Sequence, residues 1–132
     1  MTKKEMVKAA IEANGYSPQV DNDGDIFLRY QMKNIYFMVD EDEEPYVLVL
    51  FPQFVEVSEG EETLTLAVCN KVTRELKLGK VYIDQTLKNV SASCDFFYTG
   101  IDSLKDCVGH ALNVLGVVRS TYFSTMSEIN ES

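Results

Sequence analysis

The sequence predicts an α+β domain in which three helices pack on a mostly antiparallel sheet of five to six strands. Apolar residues recur at helical spacing near the start, in the middle and near the end of the chain. The runs between them are rich in β-branched and aromatic residues and are joined by short turn sequences, which is typical of antiparallel hairpins. The predicted order is α-β-β-β-α-β-β-α, with strands and helices partly segregated, as in α+β proteins.

The first helix is predicted from about Lys3 to Asn14. Thr2-x-x-Glu5 is a capping box, in which each side chain bonds the backbone N–H of the other residue. Gly15 ends the helix, because glycine readily adopts the left-handed conformation found there. The apolar stripe of this helix is formed by Met6, Val7, Ala10 and Ile11.

Three or four strands are predicted after the first helix. Residues 19–21 form a short, weak extended segment, and residues 25–31 alternate between two faces. Lys33-Asn34 is predicted as the turn that leads into a strand over residues 35–40.

The next strand, residues 46–51 or "YVLVLF", is apolar on both faces. Such a strand is expected at the centre of a sheet and covered twice, by helices or by a partner chain. We predict that Pro52 ends it, because proline has no backbone N–H for the ladder. The acidic run at 40–44 before it is predicted to be a solvated hairpin tip with at most weak affinity for cations.

A second helix and two further strands are predicted in the second half. Ser58-x-x-Glu61 indicates a second capping box, for a helix from about Glu59 to Glu75. Strands are predicted over residues 78–84 and 90–98. The helix stripe is Leu64, Ala67, Val68 and Val72, and one face of the last strand is Val90, Ala92, Cys94 and Phe96. The other face of that strand is either solvated or the floor of a groove beside Tyr82 and Phe27, and it carries Ser91, Ser93, Asp95 and Phe97.

The final helix is predicted to be capped by Asp102 or Ser103 and to run to about Thr125. The single domain then covers residues 1–126, and residues 127–132 are predicted to be a flexible tail. The core stripe of this helix is Leu104, Val108, Ala111, Leu115, Val118 and Tyr122.

The charge balance argues against nucleic-acid and membrane partners. The chain has 21 acidic and 12 basic residues, a net charge of -9 and no basic stripe that could follow a phosphate backbone. No segment approaches the roughly 18 apolar residues of a membrane span, and the N-terminus lacks a secretory pattern. Cys69, Cys94 and Cys107 are widely spaced and odd in number, which is typical of free thiols in a reducing compartment. We therefore expect a cytoplasmic protein.

The stretch Asp21-Asn22-Asp23-Gly24-Asp25 looks like the start of a calcium-binding loop. An EF-hand loop needs glycine at its sixth position and an acidic residue at its twelfth, and no register of this sequence supplies both. Asparagine, aspartate and glycine between two extended runs indicate a hairpin turn instead. The sequence therefore predicts no metal site and no cofactor.

The sequence also predicts that the protein is not an enzyme. His110 is the only histidine, and it follows Cys107 at ordinary helical neighbour spacing. Nothing in the sequence supplies the orienting group or the oxyanion hole that a cysteine nucleophile needs. The signatures of nucleotide-binding proteins, zinc proteases and serine hydrolases are absent.

A partner-binding surface is predicted from residues that one core face does not need. Interior glycine costs about 1 kcal/mol relative to alanine in a helix. One flank of the last helix carries Gly109, Asn113, Gly116 and Ser120. This flank is either a loosely selected exposed face or the place where another backbone, of the sheet or of a second chain, approaches closely. The predicted surface consists of Phe51, Phe54, Phe97, Gly109, Asn113, Gly116 and Val117.

Several segments of the chain recur together, in this order, in one protein family. They are the Gly15-Tyr16 helix end, "DNDGDI", "PYVLVLFPQF" at 45–54, "AVCNKVT" at 67–73, "KVYID" at 80–84 and "NVSASCDFF". On these segments the chain resembles the YbjN-like family of bacterial proteins, described as sensory-transduction regulators, over about residues 3–126. The resemblance implies a fold like that of type III secretion chaperones, with helices on a curved antiparallel sheet, frequent dimerisation and a regulatory or protein-binding role. It supplies no catalytic residues.

The leading prediction is a non-enzymatic regulatory or protein-binding domain that acts as a homodimer on an unidentified protein partner. One alternative is an export chaperone that holds a secreted protein by strand addition or in apolar grooves. The other is a small-ligand sensor or an unrecognised enzyme, with a pocket between the last helix and the sheet.

Overall fold

Three helices and six strands make up the fold. The computed structural model describes residues 1–42 and 44–131. The strands are all antiparallel and form one sheet in the order β1-β2-β3-β4-β6-β5, so the predicted α+β class and antiparallel sheet are confirmed. The elements are α1 (Lys3–Ala13), β1 (Gln19–Val20), β2 (Ile26–Tyr30), β3 (Lys33–Met38), β4 (Tyr46–Glu56), α2 (Glu62–Glu75), β5 (Gly79–Ile83), β6 (Asn89–Phe97) and α3 (Ile101–Glu131).

The capping box predicted at the start of α1 is present. The Thr2 hydroxyl accepts a hydrogen bond from the backbone N–H of Glu5, and the Glu5 carboxylate accepts one from the N–H of Thr2. At the other end Asn14 is the C-cap, and its side-chain amide donates to the carbonyl oxygens of Ala10 and Lys105. Asn14 therefore ends α1 and also ties it to α3.

The turn between β2 and β3 lies two residues earlier than predicted. Gln31 and Met32 form it, with φ of +49° and +67°, whereas Lys33 and Asn34 are paired with β2. Neither turn residue belongs to the types that favour positive φ. The register is fixed instead by burial, because a shift by one residue would turn the core side chains of β3 towards solvent.

Pro52 does not end β4, which continues to Glu56. The ladder with β6 runs to Phe51, is interrupted by a bulge, and resumes at Val55. Within the bulge Gln53 has φ +48°, and its backbone N–H donates to Oγ of Ser91. The bulge therefore accommodates a residue without an N–H while the strand goes on.

The carboxylate of Asp84 ties this bulge to the turn between β5 and β6. Asp84 is buried, and it accepts hydrogen bonds from the Gln53 amide and from the N–H and hydroxyl of Thr86. Together these bonds hold the pKa of Asp84 below its usual range. The Thr86 side chain lowers it most, and the Gln53 side chain comes second.

A pH-dependent stability contribution is expected from Asp84. Because its folded-state pKa is the lower one, the contribution is fully present above the unfolded-state pKa of about 4 and is lost as the pH falls through the folded-state value. In thermal melts, Asp84→Asn should therefore lower Tm clearly at pH 7 and much less at pH 3. The exposed Asp23 offers the matched control Asp23→Asn. A Tm difference between wild type and Asp84→Asn that is equal at both pH values would contradict this role.

Helix α2 begins later than predicted and without the second capping box. Glu61 is its N-cap residue and makes no side-chain capping bond, while Ser58 only accepts a turn bond from the N–H of Glu61. The buried side chains of α2 are Thr65, Val68, Cys69 and Val72. Ala67, predicted in the stripe, is exposed.

Helix α3 is longer than predicted. It begins at Ile101 and continues to Glu131, so residues 127–131 of the predicted tail are helical, and Ser132 lies outside the described residues. Asp102 and Ser103 lie in its first turn, where the Ser103 hydroxyl accepts from the N–H of Thr99. The predicted core stripe is buried along its whole length.

The helices and one face of the sheet enclose a single core. Alternate residues of β2 to β6 are buried in it, as Val47 and Val49 are on β4, whereas both residues of β1 are exposed. The helices contribute side chains such as Val72 and Leu115. The alternate residues on β4, such as Leu48, are only half-buried. Helices therefore cover one face of β4, and not both. Across the described residues, no helix has the length and apolar character needed to cross a membrane.

Candidate functional site

The face of the sheet that carries no helix is the first candidate surface, called here the open sheet face. Leu50 lies at its centre, between Tyr36 on β3 and Ser93 on β6. Its charged strand residues are Arg29, Lys80 and Asp95. The Asp84 carboxylate lies at its margin beside Tyr82 and Ser91. The whole chain has a net charge of -9. The open sheet face consists of Phe27, Arg29, Asn34, Tyr36, Met38, Tyr46, Leu48, Leu50, Lys80, Tyr82, Ser91, Ser93, Asp95 and Phe97.

A hydrogen-bonded cluster lies at one end of the open sheet face. The hydroxyl of Tyr46 donates to Oδ2 of Asp95 over 2.7 Å, and Nζ of Lys80 lies 3.1 Å from the same carboxylate. Burial and the bond to Asp95 raise the pKa of Tyr46 to about 12. Burial alone would raise the pKa of Asp95, but the bonds from Tyr46 and Lys80 lower it. The charge of Asp95 is therefore neutralised locally.

Phe97 stands beside this cluster and is the most exposed aromatic residue of the face. Its ring lies 5.2 Å from that of Tyr46, and 66% of its surface is accessible. A single exposed aromatic side chain is ordinary, but one that continues a contiguous apolar patch, as Phe97 does beside Tyr46, marks a candidate interaction surface. The solvated alternative for this strand face is wrong for Ser91 and Ser93, which are buried, while Phe97 is exposed. The strand face belongs to a broad, mostly apolar surface.

An open cavity of about 660 Å³ between α2 and β5 is the second candidate surface, called here the α2–β5 groove. Leu66 and Thr73 line it from α2, Ile83 from β5, and Leu87 from the turn after β5. Cys69 forms part of the lining, and burial raises the pKa of its thiol to about 11. The thiol is therefore protonated at neutral pH and contributes apolar surface rather than a nucleophile.

A smaller cavity of about 170 Å³ brings Cys107 and His110 together with Asp106. Nε2 of His110 lies 3.1 Å from the carbonyl oxygen of Lys77, so this nitrogen is bonded to the backbone. Among the described residues no hydrogen bond joins His110 to Cys107. The geometry thus gives the pair no arrangement for general-base activation of the thiol.

The Asp21–Asp25 stretch forms the predicted hairpin turn. Oδ1 of Asp21 accepts from the N–H groups of Asp23 and Asp25, each over 2.9 Å, and Gly24 has φ +85°. Carboxylate oxygens of the three aspartates lie within 4.8 Å of one another. The convergence follows from the turn itself, because one of these carboxylates already caps two backbone N–H groups.

The acidic run at 40–44 connects β3 to β4, as predicted. Asp42 pairs with Lys3 over 3.0 Å and also accepts from the N–H of Glu44. Glu43 lies outside the described residues.

The seven residues predicted as a partner-binding surface lie in three different places. Phe51 is buried, and Phe54 stacks on it with ring centroids 5.1 Å apart, so both belong to the core region. Phe97 lies on the open sheet face. Asn113 and Val117 are exposed on α3. The remaining two are the glycines of α3.

Those glycines are explained by close contacts within the chain. A Cβ atom at Gly109 would lie 2.8 Å from Oδ1 of Asn14, and one at Gly116 would lie 2.9 Å from Cε1 of Tyr30. Such separations are too short for a side chain. The predicted approach was that of another backbone, whereas the groups found next to these two glycines are side chains, those of Asn14 at the C-cap of α1 and of Tyr30 on β2.

Sequence reasoning missed the α2–β5 groove. Its walls, residues 62–73 and 81–87, belong to a helix and to a strand with its following turn, whose side-by-side packing the sequence does not show, and the predicted stripe of α2 does not include Leu66. The one available signal was Leu87, an isolated apolar residue in the polar connection 85–89.

Comparison with known sequences identifies the family of the chain. A sequence model of the YbjN family, described as "Putative bacterial sensory transduction regulator", matches residues 3–105. The predicted resemblance is therefore confirmed. No curated protein matches the chain.

Three solved structures share the fold. YbjN from E. coli superposes with a TM-score of 0.63 at 10% identity, over 97% of this chain and 91% of that chain. The ExsC-ExsE complex gives a TM-score of 0.54 at 13% identity, over 86% and 89%. An uncharacterized protein from Methanothermobacter thermautotrophicus gives 0.50 at 12% identity, over 91% and 99%. At these identities the likeness shows a common fold.

Proposed function

The chain belongs to the YbjN family, and we propose that it is a non-enzymatic regulatory domain that acts by binding protein and works as a homodimer. The two subunits would meet through the open sheet face. The observation that carries this proposal is the outward row of β4, where Tyr46, Leu48 and Leu50 form an apolar strip that no helix of the described chain covers.

The sequence pattern and the fold together favour a second layer of structure, packed on the outward face of β4. A strand that is apolar on both faces is normally buried on both. Helices bury only the face that carries Val47 and Val49. The other layer must therefore come from outside the chain, and a second sheet packed face to face is the simplest form of it.

Charge and size also suit a second copy. Two chains with a net charge of -9 repel each other, but charges on and beside the open sheet face balance, with Arg29 and Lys80 against Asp95 and Asp84. Five strands about 4.8 Å apart and roughly 20 Å long give a flat footprint near 500 Å². That value is close to the lower limit of about 500 Å² for each partner in a specific interface.

A protein-binding role agrees with the fold, since ExsC has this fold and was crystallised in a complex with ExsE. The absence of catalysis is supported by the Cys107–His110 geometry, and a cytoplasmic location by Cys69, Cys94 and Cys107, which are free thiols.

The export-chaperone alternative is less favoured in its strand-addition form. The sheet has two edges, β1 and β5. β1 has only two residues, and the central residue of β5, Val81, already exchanges hydrogen bonds with the hydroxyl of Thr73. Short or occupied edges resist the addition of a foreign strand.

The homodimer is tested by measuring mass in solution. Sedimentation of the wild type should give twice the chain mass of 14.9 kDa. Phe97→Asp should shift the equilibrium to the monomer by at least tenfold in dissociation constant, because it buries a carboxylate beside Asp95 in the interface. Phe97 is exposed in the single chain, so the variant should fold normally.

The matched control is Met32→Asp. Met32 is 85% exposed and lies in the β2–β3 turn, off the open sheet face. This variant should remain a dimer. A wild type that sediments at 14.9 kDa, or a Phe97→Asp variant that stays a dimer, would refute the proposed interface.

A further inference from the structure

We propose that the α2–β5 groove binds an amphipathic helix of a partner protein, with basic residues at the end of that helix next to the start of α2. This site adjoins the open sheet face at Tyr82, which contributes to both surfaces. It deepens the proposed function by giving the bound protein segment a location and a chemistry. It rests on the proposed protein-binding role, but not on the homodimer.

The rim of the groove exposes two large apolar side chains. Leu66 of α2 is 57% exposed, and Leu87, in the turn after β5, is 74% exposed. Between them Cys69, Val81 and Ile83 form apolar lining, while Asn70 and Thr73 add polar groups, so the groove is mostly apolar. An apolar channel between a helix and a strand is the form of site that takes the apolar face of a helix.

The backbone of Leu87 adds an independent observation. Its φ is +64°, a conformation that glycine or asparagine adopts easily and that a leucine side chain disfavours. A leucine that is both strained and exposed stabilises neither the turn nor the core. Met32 and Leu78 combine exposure and positive φ elsewhere in the chain, so the position of Leu87 on the rim of the groove is what connects it with this site. Contact with a bound partner gives this leucine a role.

Hydrogen bonding decides in favour of a helix rather than a strand as the occupant. In an antiparallel ladder alternate residues of an edge strand point their N–H and C=O groups outward. On β5 those of Val81 are taken by the hydroxyl of Thr73, at 2.8 Å and 3.1 Å. A partner strand would have to break these bonds, whereas a helix satisfies its own backbone and needs only side-chain contacts.

The charges at one end of the groove indicate which charge the partner carries there. Glu62 lines the groove, and Glu59 and Glu61 come just before it in the chain; all three are exposed. The three ion pairs found in the described part of the chain involve other carboxylates. These acidic side chains thus remain available for lysine or arginine of a partner.

The length of the groove sets the length of the helix. The wall from Glu62 to Thr73 is about 17 Å long at 1.5 Å per residue, which matches about three helical turns. Two or three apolar side chains spaced by three or four residues would reach into it.

The experiment selects helices for this groove from random sequences. Phage that display random 16-residue peptides are selected on the full chain and counter-selected on the double variant Leu66→Asp, Leu87→Asp. Enriched peptides should carry apolar residues at i, i+3 or i+4, and i+7, with lysine or arginine at one end. Fluorescence anisotropy of such a peptide should show at least tenfold weaker binding to the double variant.

The chain offers a matched control in Leu78→Asp. Leu78 is 62% exposed and has φ +62°. It therefore matches Leu87 in exposure and backbone conformation but lies outside the groove. Binding of the peptide should be unchanged in Leu78→Asp and also in Phe97→Asp. Unchanged peptide binding in Phe97→Asp distinguishes this proposal from the homodimer, because the groove would bind the peptide whether or not the open sheet face forms a dimer.

Three outcomes would overturn the proposal. The first is an absence of enriched peptides, or enrichment of acidic or strictly alternating sequences. The second is equal loss of peptide binding in Leu78→Asp. The third is conversion of a wild-type dimer to a monomer by the Leu66 and Leu87 changes, which would mean that the groove holds a second copy of this chain.

Discussion

Replacing Tyr122 with alanine is expected to lower the free energy of unfolding by about 3–5 kcal/mol, the usual loss for a fully buried large aromatic residue. Tyr122 is 1% exposed. Its ring meets that of Phe54 and that of Phe123 edge to face, each with centroids 5.5 Å apart. Because Phe54 lies at the end of the β4 bulge, the alanine variant leaves a cavity between α3 and β4. Urea unfolding at constant slope measures the loss.

The control for this change is Tyr122→Phe, which keeps the ring contacts and removes only the hydroxyl. It should lose much less stability than the alanine variant. The result bears on the boundary of the domain, since the family match ends at residue 105 and Tyr122 lies well beyond it. If Tyr122→Ala were as stable as the wild type, the second half of α3 would not belong to the core.

Replacing Thr73 with valine is expected to have the next largest effect, about 1–3 kcal/mol. Valine has nearly the shape of threonine but lacks the hydroxyl that bonds both the N–H and the C=O of Val81. Val81 is 5% exposed, so these two backbone groups would be left largely without water or another partner. Both the unfolding free energy and the hydrogen-exchange protection of the Val81 amide should fall.

Thr73→Ser is the matched control for this substitution. Serine keeps the hydroxyl and removes only a methyl group from a half-buried position, so the Val81 amide should stay protected. The assignment fails if serine and valine destabilise the protein equally, because the methyl group would then be the important part. The valine variant should also aggregate more readily, since it uncovers an edge strand.

Local signals in the sequence predicted the elements that depend on near neighbours. The Thr2–Glu5 capping box acts within one helical turn, and it forms as predicted. The turn at 21–25 rests on Gly24 and on an aspartate that bonds its own backbone, and it also forms as predicted. The period of the α3 stripe was sufficient to identify its buried face.

The predictions that failed depend on contacts between distant segments. Pro52 suggested a strand end, but the pairing of β4 with β6 is extensive enough to resume after a bulge. Gln31 and Met32 carry no turn signature, because their turn is imposed by the buried face of β3. The last helix was predicted to end near Thr125, but packing of Met126 and Ile129 against the core accompanies its extension.

The same distinction between local signals and contacts across the fold applies to the candidate sites. Phe97 was recognised because it breaks a local pattern, as an apolar residue on an otherwise polar strand face. The α2–β5 groove arises only when residues 66–73 and 81–87 are brought side by side, and no local rule describes that arrangement. The glycines of α3 were noticed from composition, but their neighbours Asn14 and Tyr30 lie at the end of α1 and on β2, and the sequence gives no sign that these elements pack against α3.

The strand order also has a consequence for how quickly the protein folds. β2, β3 and β4 follow one another along the chain and pair through short connections. The pairing of β4 with β6 instead requires residues 57–88, with α2 and β5 among them, to be closed into a loop first. The entropy lost in that closure precedes any gain from the contacts it allows. We therefore expect the slow step of folding to be the docking of β6, which inserts between the finished β2–β4 meander and the edge strand β5.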